Sequence, residues 1–176
     1  MRYVAGVDGC KNGWVVAVDV GGGRTIPRFY PSFAALVADK TLSLIVIDIP
    51  IGLLPQGPRQ CDLQARRMLP RFRKSSVFPA PLRPMLKAES WDEAKEIRLT
   101  IEGKGWTHQA FGILKKIREV DQVMTQDLQQ RVREGHPEVA FLAMNGNRPV
   151  VTRKGTKQGR QERMHLISRF FPDAQE

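Results

Sequence analysis

Leu44-Ile45-Val46-Ile47-Asp48 decides the fold: four apolar residues without a break, closed by a carboxylate and followed by Ile49-Pro50. A half-exposed strand alternates apolar and polar side chains, whereas a strand covered on both faces reads as a continuous apolar run. The segment therefore predicts a buried central strand that stops at Pro50 and carries Asp48 at its C-terminal end. Working backwards, Ser32 predicts the cap of a short helix reaching Asp39, with Phe33, Leu36 and Val37 on one face. Before that helix, Tyr3–Asp8, Trp14–Val20 and Thr25–Tyr30 have the β-branched and aromatic content of strands. They are joined by Gly9-Cys10-Lys11-Asn12-Gly13 and by Gly21-Gly22-Gly23. Connections this short make the three strands an antiparallel meander.

A meander, a crossover helix and a buried strand define the first half of an RNase H-like sheet. The crossover returns the fourth strand parallel to the first. If the two are neighbours, about 4.8 Å apart, Asp8 and Asp48 close them at the same sheet edge. The expected fold class is thus α/β: an RNase H-like mixed five-stranded sheet, a three-stranded antiparallel meander plus parallel strands, with a helical insertion.

Working forwards, Pro50, Pro55 and Pro58 open an irregular stretch. Gln60–Leu69 predicts a helix, and Ser90 with Glu93 predicts a capping box for another running to about Glu102. Thr107 is expected to start a third, through Asp121 or beyond, with Phe111, Leu114, Ile117 and Val120 on its apolar side. Residues 56–130 therefore read as a mainly helical insertion, too long for a plain loop, within one domain spanning 1–176. Arg131–Glu134 is the expected fifth strand, Pro137 begins a helix through Met144, and a last helix covers about Arg160–Phe170.

The 176 residues suffice to bury a core without disulfides, and no apolar run approaches the roughly 20 residues of a membrane span. Cys10 and Cys61 make neither a disulfide framework nor a zinc set, and the N-terminus lacks signal-peptide architecture. A cytoplasmic location is the expectation. The net charge of +10 is uneven: residues 1–55 carry 5 basic and 4 acidic side chains, and the other 9 units of charge lie beyond. A positive surface attracts polyanions, so DNA or RNA is an expected partner, although a merely soluble basic protein reads the same way. From Arg59 to Lys87, eight basic residues face a single acid, Asp62. Arg153, Lys154, Lys157, Arg160 and Arg163 form a second cluster.

Two carboxylates at neighbouring strand ends repel each other unless a cation or a proton lies between them. Hard oxygen ligands suit Mg²⁺ or Mn²⁺, and such ions serve phosphodiester hydrolysis. The competing reading makes Asp48 a cap before Pro50 and Asp8 a partner of the glycine turn. Glu138, in His136-Pro137-Glu138, is a candidate third ligand or base, and His136 a candidate acid for the leaving group. Against this, Glu138 suits the first turn of a helix for its dipole alone. Gly21-Gly22-Gly23 lacks the following helix and Lys-Ser/Thr of a phosphate cradle and reads as a hairpin turn.

Together these segments resemble an uncharacterised bacterial and archaeal family described as predicted nucleases of RNase H-like fold. The resemblance rests on Gly6-Val7-Asp8-Gly9-Cys10-Lys11-Asn12-Gly13-Trp14 and Ile47-Asp48-Ile49-Pro50-Ile51-Gly52-Leu53. It extends through Arg59-Gln60-Cys61-Asp62, Ser75-Ser76-Val77-Phe78-Pro79-Ala80-Pro81, Lys116-Ile117-Arg118-Glu119-Val120-Asp121 and His136-Pro137-Glu138-Val139-Ala140-Phe141. Asp8, Asp48 and Glu138 are the expected catalytic and metal residues, and Lys11 and His136 are expected to contact substrate. The resemblance adds Arg66, Arg83, Glu119 and Asp121 as substrate contacts, although Glu119 and Asp121 read by themselves as a solvated face or ion pair. Such proteins tend to carry another acidic motif in a helix after the sheet. Phe171–Glu176 is expected to stop short of it, which makes a homodimer worth testing.

The leading expectation is a metal-dependent nuclease using Mg²⁺ or Mn²⁺. Its rivals are a nucleotide-binding phosphotransferase of actin-like architecture, for which 176 residues leave no second half, and a catalytically inactive nucleic-acid-binding module.

Overall fold

A computed structural model describes residues 2–175. The chain forms two compact units, Met1–Asp48 with Thr125–Glu176, and Ile49–Met124 between them. The second unit overlaps the stretch 56–130 expected to be mainly helical, but it begins at Ile49 and ends at Met124.

In the first unit, β1 (Tyr3–Cys10), β2 (Gly13–Gly21) and β3 (Arg24–Tyr30) form the meander. The glycines at 21, 22 and 23 all have positive φ, as the β2–β3 turn requires. Helix α1 (Phe33–Ala38) begins where Ser32 Oγ accepts the Ala35 amide, 3.1 Å away. Strands β4 (Leu42–Ile47) and β5 (Val132–Glu134) complete a mixed sheet of order β3-β2-β1-β4-β5, with β4 parallel to both neighbours. This is RNase H-like topology. One face buries Ala5, Val7, Trp14, Val16, Val18, Ile45 and Ile47, while α1 buries Phe33, Leu36 and Val37. The Trp14 and Phe33 rings lie 5.6 Å apart, tying α1 to β2.

Two polar networks fix the crossover. Asp39, at the C-terminus of α1, accepts from Arg28 Nη1 (2.9 Å), the Tyr30 hydroxyl (2.6 Å), and both the amide (2.9 Å) and hydroxyl (2.6 Å) of Thr41. Those donors hold its carboxyl down at about 2, with Thr41 and Tyr30 the main causes. Arg131 donates to the carbonyls of Val37, Asp39 and Leu42, and its own carbonyl accepts the Ile45 amide at 2.7 Å. This locks the start of β5 beside β4.

Helix α6 (Pro137–Met144) starts on proline at its first position, as the sequence predicts. Helix α7 (Lys157–Ser168) starts three residues earlier than expected, because the Thr156 hydroxyl caps it by accepting from the Gly159 amide at 3.0 Å. Asp173 Oδ2 accepts the Thr25 amide at 2.8 Å, which anchors this residue to β3.

The second unit contains α2 (Gln60–Met68), α3 (Trp91–Glu102), α4 (His108–Phe111) and α5 (Leu114–Val123). The single helix expected from Thr107 is two, broken at Gly112-Ile113. Leu82, Met85, Ala88, Ala94, Trp106, Ala110 and Leu114 make its core. Arg118 braces α5 by donating to the Leu86 and Ala88 carbonyls, each at 2.7 Å. No helix among the described residues is long and apolar enough to cross a membrane.

Candidate active site at the strand ends

The site is built by register. In the parallel β1–β4 pair Val7 faces Ile47, and in β4–β5 Ile47 faces Glu134. The residues that follow are Asp48, just past β4, and Asp8, which does not close β1 as expected but lies within it, paired with Val15 two residues before its end; the Gly135 amide closes the row on the Ile47 carbonyl at 2.9 Å. Gly135 is glycine for a steric reason: a Cβ there would overlap Val46 Cγ1. That close passage turns the chain so that His136 comes within electrostatic reach of Asp48.

Asp8 and Asp48 are both exposed at their tips, but Asp48 also lies low enough among protein atoms to be partly desolvated. Its carboxyl is pushed above the ordinary range, first by that desolvation and then by the charges of Asp8 and Glu134, against the opposing pull of His136 and Lys154. The acids are therefore offset in part by His136 and Lys154, and the carboxyl is raised despite them. The donors are hard oxygens, which fit Mg²⁺ or Mn²⁺. Neither Asp8, Asp48 and Glu138 nor Asp8, Asp48 and Glu134 gather ligand atoms within 4.8 Å of one another among the described residues.

Glu138 is held elsewhere. It is buried in the first turn of α6, and its Oε1 accepts from Arg163 Nη2 of α7 at 2.8 Å. Arg163 also donates to the carbonyls of Thr152 and Gly159 and stacks on the Phe141 ring, 5.4 Å from its centroid. Lys11 is exposed in the β1–β2 turn. The remaining candidates belong to the second unit. There Arg83 clasps Asp121 with two bonds of 2.9 and 3.0 Å, Glu119 pairs with Lys116 at 3.4 Å, and Arg66 Nε donates to the Val77 carbonyl at 2.8 Å.

Sequence reasoning overlooked two members of the Asp48 cluster. Glu134 stood at the end of an expected strand, the same position that singled out Asp8 and Asp48, and was passed over for Glu138. Lys154 stood within a basic cluster that offered no way to choose among its members.

The chain belongs to the family described as "Protein of unknown function (DUF429)", whose model matches residues 6–176. No curated protein and no solved structure matches it. Family membership thus covers nearly the whole chain and assigns no reaction.

Proposed function

We propose that this DUF429 protein is a divalent-cation-dependent nuclease hydrolysing phosphodiester bonds in DNA or RNA. The observation that supports the reading is the register that sets Asp8 of β1, Asp48 and Glu134 on three adjacent strands, with Asp8, Glu134, His136 and Lys154 all within electrostatic reach of Asp48. Asp8 and Asp48 would hold Mg²⁺ or Mn²⁺, with Glu134 as third carboxylate. Glu138, bound by Arg163, would position the start of α6 and with it His136. When bound, the cation supplies positive charge for the scissile phosphate and acidifies water. Lys154 sits where it can neutralise a phosphate oxygen, and His136 where it can deliver a proton to the departing oxygen. The basic excess of +9 beyond residue 55 would draw the polyanion in.

The test is cleavage of a labelled panel (single-stranded, duplex, hybrid and branched) with Mn²⁺, comparing the wild type with Asp48→Asn, Glu134→Gln and Glu138→Gln. Activity should vanish in the first, fall steeply in the second and fall less in the third. Cleavage undiminished by Asp48→Asn would overturn the reading.

A further inference from the structure

The helical unit contains a cavity of about 290 Å³ whose chemistry the strand-end site does not use. Its charged lining is Arg59, Asp62, Arg66, Arg98, Glu102 and Lys104. Two of the arginines are spoken for. Arg59, buried, clasps Asp62 through Nε (3.0 Å) and Nη2, and donates Nη1 to the Ile51 carbonyl. Arg98, buried, bonds Glu102 through Nε and Nη2 at 3.1 and 3.0 Å, and Glu102 Oε1 accepts the Gly57 amide at 2.9 Å. Each pair is neutral as a unit, and both stiffen the wall.

Arg66 differs. Its Nε is pinned to the Val77 carbonyl, which fixes the guanidinium plane, yet its two terminal amino groups have no acceptor among the described residues. The side chain is only partly exposed, so solvent satisfies it incompletely. Lys104, exposed, likewise makes no ion pair among the described residues. Four cations against two carboxylates leave the cavity an excess of two positive charges. The walls beside them are apolar and stiff, with Leu54, Leu63, Pro58, Pro79 and Pro81. Such a volume lies at the small end of ligand pockets.

We propose that this cavity binds the terminal phosphate of a phosphomonoester, with Arg66 as the forked contact, Lys104 as the second charge and the proline-lined wall against the ester's organic body. A dianion matches the excess charge, where a carboxylate would leave half of it unmet. An arginine fork already oriented by a backbone bond suits two phosphate oxygens at once. The phosphate has two possible sources, a free nucleotide or the 5′ end of a polynucleotide. The proposal does not depend on the nuclease reading, since it uses none of the strand-end carboxylates.

The test is calorimetry on the full chain carrying Asp48→Asn, with EDTA present, using 5′-AMP, adenosine and inorganic phosphate. The expected result is saturable AMP binding, competition by phosphate, and at least tenfold weaker binding of adenosine. Arg66→Gln should weaken AMP at least tenfold and Lys104→Gln severalfold. Arg66→Lys should retain part of the affinity, and Arg67→Gln, at the exposed neighbour on α2, should change nothing. Thermal melts establish which variants are folded, and Lys104→Gln and Arg66→Lys keep the test decisive if Arg66→Gln is not. A 5′-phosphorylated oligonucleotide binding better than its 5′-hydroxyl counterpart assigns the polynucleotide end; equal binding alongside tight AMP assigns the free nucleotide. Absence of saturable AMP binding, or AMP affinity unchanged in both Arg66 variants, would overturn the proposal.

Discussion

Arg163→Met tests whether the α6–α7 corner holds the candidate site in place. Arg163 and Glu138 are both nine-tenths buried and 2.8 Å apart. The arginine makes two further bonds, of 3.2 and 3.1 Å, to the Thr152 and Gly159 carbonyls. Replacing it removes these bonds and leaves a buried carboxylate without its counter-charge, a change that typically costs about 3–5 kcal/mol. Methionine keeps much of the apolar stem against Phe141, so the loss reports charge more than packing. For a chain of this size each kcal/mol moves Tm by roughly 2–4 °C, which predicts a drop of about 6–20 °C. Urea titration with an unchanged m-value is the primary assay. Glu138→Leu in the Arg163→Met background should recover part of the loss, because the second substitution removes the buried carboxylate that has lost its arginine. A loss below about 1 kcal/mol, with no recovery in the double variant, would place the pair in the solvated class and refute the positioning role given to Glu138.

The acid side of the stability profile should be set partly by Asp39. Its carboxyl is held at about 2 against an ordinary 3.8, so its contribution is present above the higher value and lost as pH falls through the lower. The shift corresponds to about 2 kcal/mol, and Asp39→Asn should flatten that limb in urea titrations at pH 2 to 5. Gly135→Ala should destabilise by about 1–3 kcal/mol through overlap with Val46, and cleavage should fall further than the melting change explains because His136 is displaced. Mn²⁺ should raise Tm in the wild type but not in Asp8→Asn or Asp48→Asn, read by thermal melts with and without EDTA. Asp48→Asn should itself melt at or above the wild-type temperature without metal, since it removes a carboxylate crowded by Asp8 and Glu134.

The strand skeleton was legible because its signals are local. Leu44–Ile47 advertises a covered strand, Ser32 and Ser90 do cap their helices, and Asp48 follows from counting to the end of β4, whereas β1 runs two residues past Asp8. What could not be read depends on contacts distant in sequence. The break between α4 and α5 falls at Gly112-Ile113, where apolar periodicity continues and only the backbone changes course. The pairing of Glu138 with Arg163 joins residues 25 apart on two helices. Membership of Lys154 in the Asp48 cluster depends on where the chain returns after α6. A charge run reveals that a surface is basic, but not which member of it meets a given carboxylate.

Asp39 and Asp48 show how far residue type falls short of role. Each is an aspartate just past a regular element in the same unit. Asp39 is surrounded by donors from Arg28, Tyr30 and Thr41, and its charge is consumed in holding β3, α1 and β4 together. Asp48 is partly desolvated and has two more acids near it, Asp8 and Glu134, against the pull of His136 and Lys154, so its charge costs stability. His136 and Lys154 offset part of that crowding, and the carboxyl of Asp48 is raised all the same. The donors around Asp39 lower its carboxyl and the surroundings of Asp48 raise its own, so removing the charge should move stability in opposite directions at the two positions.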